Sequence, residues 1–209
     1  MVEHVAIVDA DRHEVKHAST AANNQVLHAN GDGTTSFEFV DYGNLVNIPT
    51  PVGYKQILLG YSTAVVQNPA GLDTALQVEF GPGAVTADAT LAPTGVLTFH
   101  TEGDYYLTLL LRFGRTAAPG VSILFNRFLI NGVQGLNSNG LKLPDADNVI
   151  PFSAGLVIPA TAGMTFSMQI MRDSGGINNG GLHRILPTVL PWNLVPSATI
   201  VVSKFIGEI

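Results

Sequence analysis

Apolar and polar positions alternate with a period of two through much of this chain. Residues 104–113 (DYYLTLLLRF) put Tyr105, Leu107, Leu109, Leu111 and Phe113 on one side and Tyr106, Thr108, Leu110 and Arg112 on the other. Successive side chains of a strand point to opposite faces, so this predicts a strand whose first set is core. Residues 164–172 (MTFSMQIMR) repeat the pattern with Met164, Phe166, Met168 and Ile170, and residues 75–80 (ALQVEF) do so in shorter form. Residues 121–130 (VSILFNRFLI) are apolar on both faces and end at Asn131-Gly132, a tight-turn pair after which Val133 resumes the strand. That reads as a central strand covered on both sides. The β-branched run at 198–206 (ATIVVSKFI) predicts a last strand inside a sheet. No segment keeps a helical period, and roughly eight short strands with frequent turns predict an all-β, antiparallel jelly-roll sandwich.

Before residue 53 the chain reads differently. Residues 23–36 are dense in Asn, Gly, Asp and Thr, which is turn chemistry with little to bury. Four of the six histidines, His4, His13, His17 and His28, also fall in this part. Residues 47–52 (NIPTPV) carry two prolines two positions apart, which favours extended backbone. The expected organisation is an extended N-terminal attachment arm over 1–46, a proline linker over 47–52 and a jelly-roll domain over 53–209. In the arm, Val5, Ile7 and Val8 could add a strand to a partner's sheet edge, with His13 and His17 beside them.

Composition narrows the setting. Charged residues are only 12% of the chain, mean hydropathy is +0.28, and Gly and Pro number 22 and 12. A chain so poor in charge is expected to hide surface against other subunits. Strand 121–130 sharpens this, because Phe128 and Ile130 oppose Phe125 and Leu129 while Tyr106 and Phe205 lie opposite the main core positions. The expectation is a homotrimer with Tyr106, Phe128 and Phe205 facing its axis. The net charge of −6, with scattered basic residues, argues against nucleic acid. Without cysteine there is neither a disulfide nor a thiolate site. The longest apolar runs are far below a membrane span, so no membrane partner is expected. The polar first sixteen residues do not read as a signal peptide, so assembly in a cytoplasm is expected.

Residues 99–113 (FHTEGDYYLTLLLRF) resemble the entry into a central strand of the trimeric jelly rolls of the complement C1q and tumour necrosis factor superfamily. Residues 17–36, 114–134 and 171–192 resemble segments of decoration and fibre proteins of tailed bacteriophages, in which an N-terminal block anchors the protein and a jelly roll is displayed. What these resemblances imply is a structural virion protein assembled in a host bacterium. The expected role is capsid decoration or cement, held on the major capsid protein or another virion protein by the arm. The alternative is a tail-fibre or receptor-binding head contacting a bacterial glycan or protein.

Candidate chemistry is thin. His100, Glu102 and Asp104 alternate and could share a strand face as metal ligands, but Gly103 favours a solvated loop. Asp9, Asp11 and His13 read as a solvated or partner-bound arm. The fragments at 30–33 (NGDG) and 145–148 (DADN) lack the remaining acids of a calcium loop. Ser153 lacks the glycine of a nucleophile elbow, and the glycine pairs at 175–176 and 180–181 follow no phosphate-loop spacing. Trp192, next to Pro191, reads as a loop anchor packed on the domain, with a sugar-stacking platform as the other reading. No enzyme activity, cofactor or metal is expected.

Overall fold

A computed structural model describes residues 25–29, 35–39, 53–116, 119–135, 137–146, 148–189 and 191–207. The chain divides into two compact units, Met1–Pro49 and Thr50–Ile209. In the first, β1 (Gln25–Ala29) and β2 (Thr35–Phe39) pair antiparallel, with Gln25 opposite Phe39 and Ala29 opposite Thr35. The sequence reading gave only turns here. Its expectations at Val5, Ile7, Val8, His13 and His17, and for the proline linker, lie outside the described residues.

The second unit begins with β3 (Gly53–Ser62), β4 (Val66–Gln67), β5 (Ala75–Gln77), β6 (Ala84–Val85), β7 (Ala89–Leu91) and β8 (Leu97–Phe99). It continues through β9 (Gly103–Gly114), β10 (Ser122–Ile130), β11 (Val133–Gln134), β12 (Asn139–Leu143) and β13 (Ile150–Ala160). The last strands are β14 (Thr165–Arg172), β15 (Gly181–His183) and β16 (Ala198–Ile206), and there is no helix among the described residues.

These strands form two antiparallel sheets. In the first, β16 lies between β3 and β9, β13 pairs the other edge of β9, and β15 with β4 extends the sheet beyond Gly114. In the second, β10 lies between β12 and β14, while β5 and β8 pair β14 and β7 and β6 follow β8. The chain crosses between sheets at β4 to β5, β8 to β9, β9 to β10, β12 to β13, β13 to β14 and β14 to β15. Such crossing is the connectivity of a jelly-roll sandwich, in which each sheet buries one face against the other.

Alternation decides which side chains fill the middle. Tyr105, Leu107, Leu109, Leu111 and Phe113 of β9 are at most 1% exposed and meet Phe166, Met168 and Ile170 of β14. Each such side chain withdrawn from water contributes roughly 1.5–3 kcal/mol. The terminal strand adds Ala198, Ile200 and Val202 to the same core. Asn131 and Gly132 have φ of 49° and 77°, the left-handed pair that a two-residue hairpin requires, and they join Ile130 to its partner Val133. Between the sheets, the buried Gln67 side chain acts as a strand surrogate. Its Nε2 donates to Glu79 O at 2.9 Å and its Oε1 accepts from Glu79 N at 2.8 Å.

Candidate functional site

The backbone register fixes the outward side of the first sheet. Opposite the core residues stand Tyr54, Leu59 and Tyr61 of β3, Val201 and Phe205 of β16, Tyr106, Thr108 and Leu110 of β9, and Val157 of β13. Tyr54, Leu59, Tyr61, Tyr106 and Val157 are 38–59% exposed. Rings cluster near one end, with Tyr54 5.7 Å from Tyr106 and 5.4 Å edge-on from Phe205. Asp104 and Arg112, at opposite ends of β9, are the only charged side chains at outward positions of these four strands, and Arg112 Nη1 donates to Pro196 O at 2.7 Å. A broad, nearly uncharged apolar face on one sheet is the arrangement that subunit contact covers.

Of the residues expected at a trimer axis, the structure brings Tyr106 and Phe205 together through Tyr54 and puts Phe128 elsewhere. Phe128 lies on the inward face of β10, stacked 6.0 Å from the buried Phe166. It lines a groove of about 680 Å³ between the sheets with Leu109, Phe152, Leu156 and Met168. Phe128 therefore belongs to the interior. Period two could not tell its side from that of Phe125, because β10 is apolar on both.

The outward side of the second sheet is finished differently. Arg127 donates from Nε and Nη2 to Gln169 Oε1 at 3.0 and 2.8 Å, and from Nη1 to Gln134 Oε1 at 3.3 Å. These three polar side chains are paired within the chain.

At the end of the sandwich where Gly53 enters, a compact polar cluster closes the core. Lys204 Nζ donates to Asp88 Oδ1 and to Thr101 Oγ1, both at 2.7 Å, and Thr101 Oγ1 donates to Asp88 Oδ1 at 2.7 Å. Tyr105, buried below, donates from its hydroxyl to Thr101 O at 2.9 Å. The Lys204 hydrogen bond, joined by that from Thr101, holds the Asp88 carboxyl below its ordinary range, and the same contact raises Lys204. Sequence reading missed this cluster, whose members come from three distant stretches.

His100, Glu102 and Asp104 do not converge. His100 precedes β9 with its Nε2 2.9 Å from Thr90 Oγ1, and Glu102 is exposed. Among the described residues, no group of three His or carboxylate side chains is placed to hold a metal. The motif at 30–33 and the triad Asp9, Asp11 and His13 lie outside the described residues.

The opposite end, where β3 finishes and β16 starts, is tied by the Arg172 side chain. Arg172 Nε donates to Gly180 O at 2.6 Å and its Nη1 to Asn178 Oδ1 at 3.0 Å. Burial, and then the charge of Arg172, push His183 below its ordinary value. From here residues 184–189 and 191–196 lie outside the named strands. Ile185 and Val195 exchange backbone hydrogen bonds of 3.0 and 2.8 Å, and Arg184 Nη1 donates to Thr63 O at 2.9 Å. Trp192 beyond this stem is 74% exposed, which overturns its reading as an anchor packed on the domain.

No family model matches the chain, and no curated protein matches it. Among solved structures, one of Eiger TNF from S. frugiperda is similar over 77% of this chain and 96% of its own, with 12% identity and a TM-score of 0.37. A likeness at that score carries no argument about function.

Proposed function

We propose that this chain is a non-enzymatic structural subunit of a tailed-phage particle, a trimeric jelly roll held on the capsid shell as a decoration or cement protein by residues 1–46. The observation that carries the oligomeric part is the outward face of the β3, β16, β9 and β13 sheet, where exposed tyrosines, Leu59 and Val157 stand with few charges. A lone subunit would leave this face in water. Trimerisation covers it and multiplies weak contacts of the N-terminal residues into durable attachment. The phage setting, and assembly in the host bacterium, rest on the sequence resemblance of residues 17–36, 114–134 and 171–192 to virion decoration and fibre proteins. The partners are further copies of the chain and the major capsid protein.

The test is occupancy on particles. The full chain is expected to bind undecorated shells in hundreds of copies, and a chain lacking residues 1–46 is expected to stay oligomeric and lose that binding. Full occupancy by the truncated chain would move attachment to the jelly roll. Failure of the full chain to bind any shell would remove the capsid role.

A further inference from the structure

Residues 184–196 (RILPTVLPWNLVP) carry four large exposed apolar side chains. Ile185, Leu186, Val189 and Trp192 are 42%, 57%, 62% and 74% exposed. From Leu186 to Pro196 there is no charged residue, and Thr188 and Asn193 are the only polar side chains. The segment is not loosely attached, because the Ile185 and Val195 backbone pair and the two Arg184 bonds, to Val65 O at 3.1 Å and Thr63 O at 2.9 Å, form a stem. Pro187 and Pro191 restrict the tip further. Large apolar side chains are thus presented in water with part of their ordering cost already met.

Position indicates what the tip meets. Gly53 pairs with Ile206 at one end of β3, whereas Ser62 pairs with Ala198 at the end from which the tip projects. By strand rise the two ends are about 30 Å apart. The tip therefore stands away from the point where the N-terminal residues join. A second copy of the tip is a poor occupant. A stable protein contact needs roughly 800 Å² from each partner, and four side chains on a narrow loop supply much less. An apolar solvent has no such threshold, since each buried side chain counts singly. A tryptophan beside leucine and valine is also the mixture that settles at the boundary of headgroups and acyl chains.

We infer that the tip formed by Leu186, Val189 and Trp192 inserts into the interfacial layer of a lipid bilayer. The expectation of no membrane partner rests on the lack of a spanning run, and a loop that only dips into the interface leaves no such run. The inference does not depend on how the chain is attached to a particle. With no charge at the tip and −6 on the chain, the binding is apolar and requires no anionic lipid.

Trp192 is the sole tryptophan, so its fluorescence reports the tip directly. The full chain is titrated with phosphatidylcholine vesicles in buffers of low and high salt. Expected are solvent-exposed emission without lipid, a blue shift with lipid at both salt concentrations, quenching by lipids brominated on the acyl chain, and co-flotation with the vesicles. Val189→Asp keeps the fluorophore and is expected to weaken flotation roughly tenfold or more with the melting transition unchanged. Emission already blue-shifted without lipid, and lost on dilution, would give the tip to a second copy and overturn the inference. So would an unchanged spectrum over the whole titration, or flotation that Val189→Asp leaves intact.

Discussion

The two sheets share one core yet present opposite outer faces. On the second, Arg127, Gln134 and Gln169 satisfy one another, and Phe125 and Met171 beside them are partly buried. On the first, Tyr54, Leu59, Tyr61, Tyr106 and Val157 remain exposed with no comparable polar cover. Both faces are built by the same alternation, so the difference lies only in which residues occupy the outward positions. The first face is the one that the proposed subunit contact would cover.

The largest expected effect comes from placing a charge on the apolar face. Leu59→Asp or Tyr106→Asp would leave an unpaired carboxylate in a subunit contact, at a cost of about 3–5 kcal/mol, and is expected to yield a folded monomer by sedimentation. An unchanged mass would place the contact elsewhere. Arg127→Ala on the other sheet should lower stability by about 1 kcal/mol and leave the mass alone, as read by denaturant unfolding and light scattering.

How far this contrast could be read in advance depended on the strand. In β9 the outward and inward sets separated cleanly, because every inward position from Tyr105 to Phe113 is large and apolar. In β3 the alternation breaks, since Ile57 is the extra residue of a bulge between Gln56, opposite Ser203, and Leu58, opposite Val202. Tyr54 precedes that bulge while Leu59 and Tyr61 follow it, so no single period joins them. In β13, Pro151 and Pro159 stand inside a strand that pairs only with β9, and an edge strand tolerates a missing donor. Alternation alone cannot place Phe128, because β10 is apolar on both sides and the buried Ser122 and Asn126 dilute its inward face. The exposure of Trp192 had no local signal, since proline-flanked tryptophans serve as anchors and as probes alike.

The two ends of the sandwich offer smaller tests. Asp88 has a lowered pKa through Lys204 and Thr101, so its contribution is present above the ordinary carboxylate range and is lost as pH falls through the lowered value. Asp88→Asn should cost about 1 kcal/mol at neutral pH, as for a partly exposed pair, and little in strong acid. Lys204, raised by the same contact, keeps its share until pH rises past the ordinary lysine range. His183 is lowered from 6.5 by burial and by Arg172, so stability is full above that value and declines as pH falls below it. His183→Gln is expected to flatten the decline between neutral pH and the onset of carboxylate protonation, the smallest of these effects, seen as melting temperature against pH.

Sedimentation equilibrium of the full wild-type chain at micromolar concentration tests the contrast between the faces most directly. The expected mass is three times 22.1 kDa, falling to 22.1 kDa in Leu59→Asp. A wild-type monomer of 22.1 kDa would mean that the tyrosine face stands bare in water, and would contradict its reading as a subunit contact.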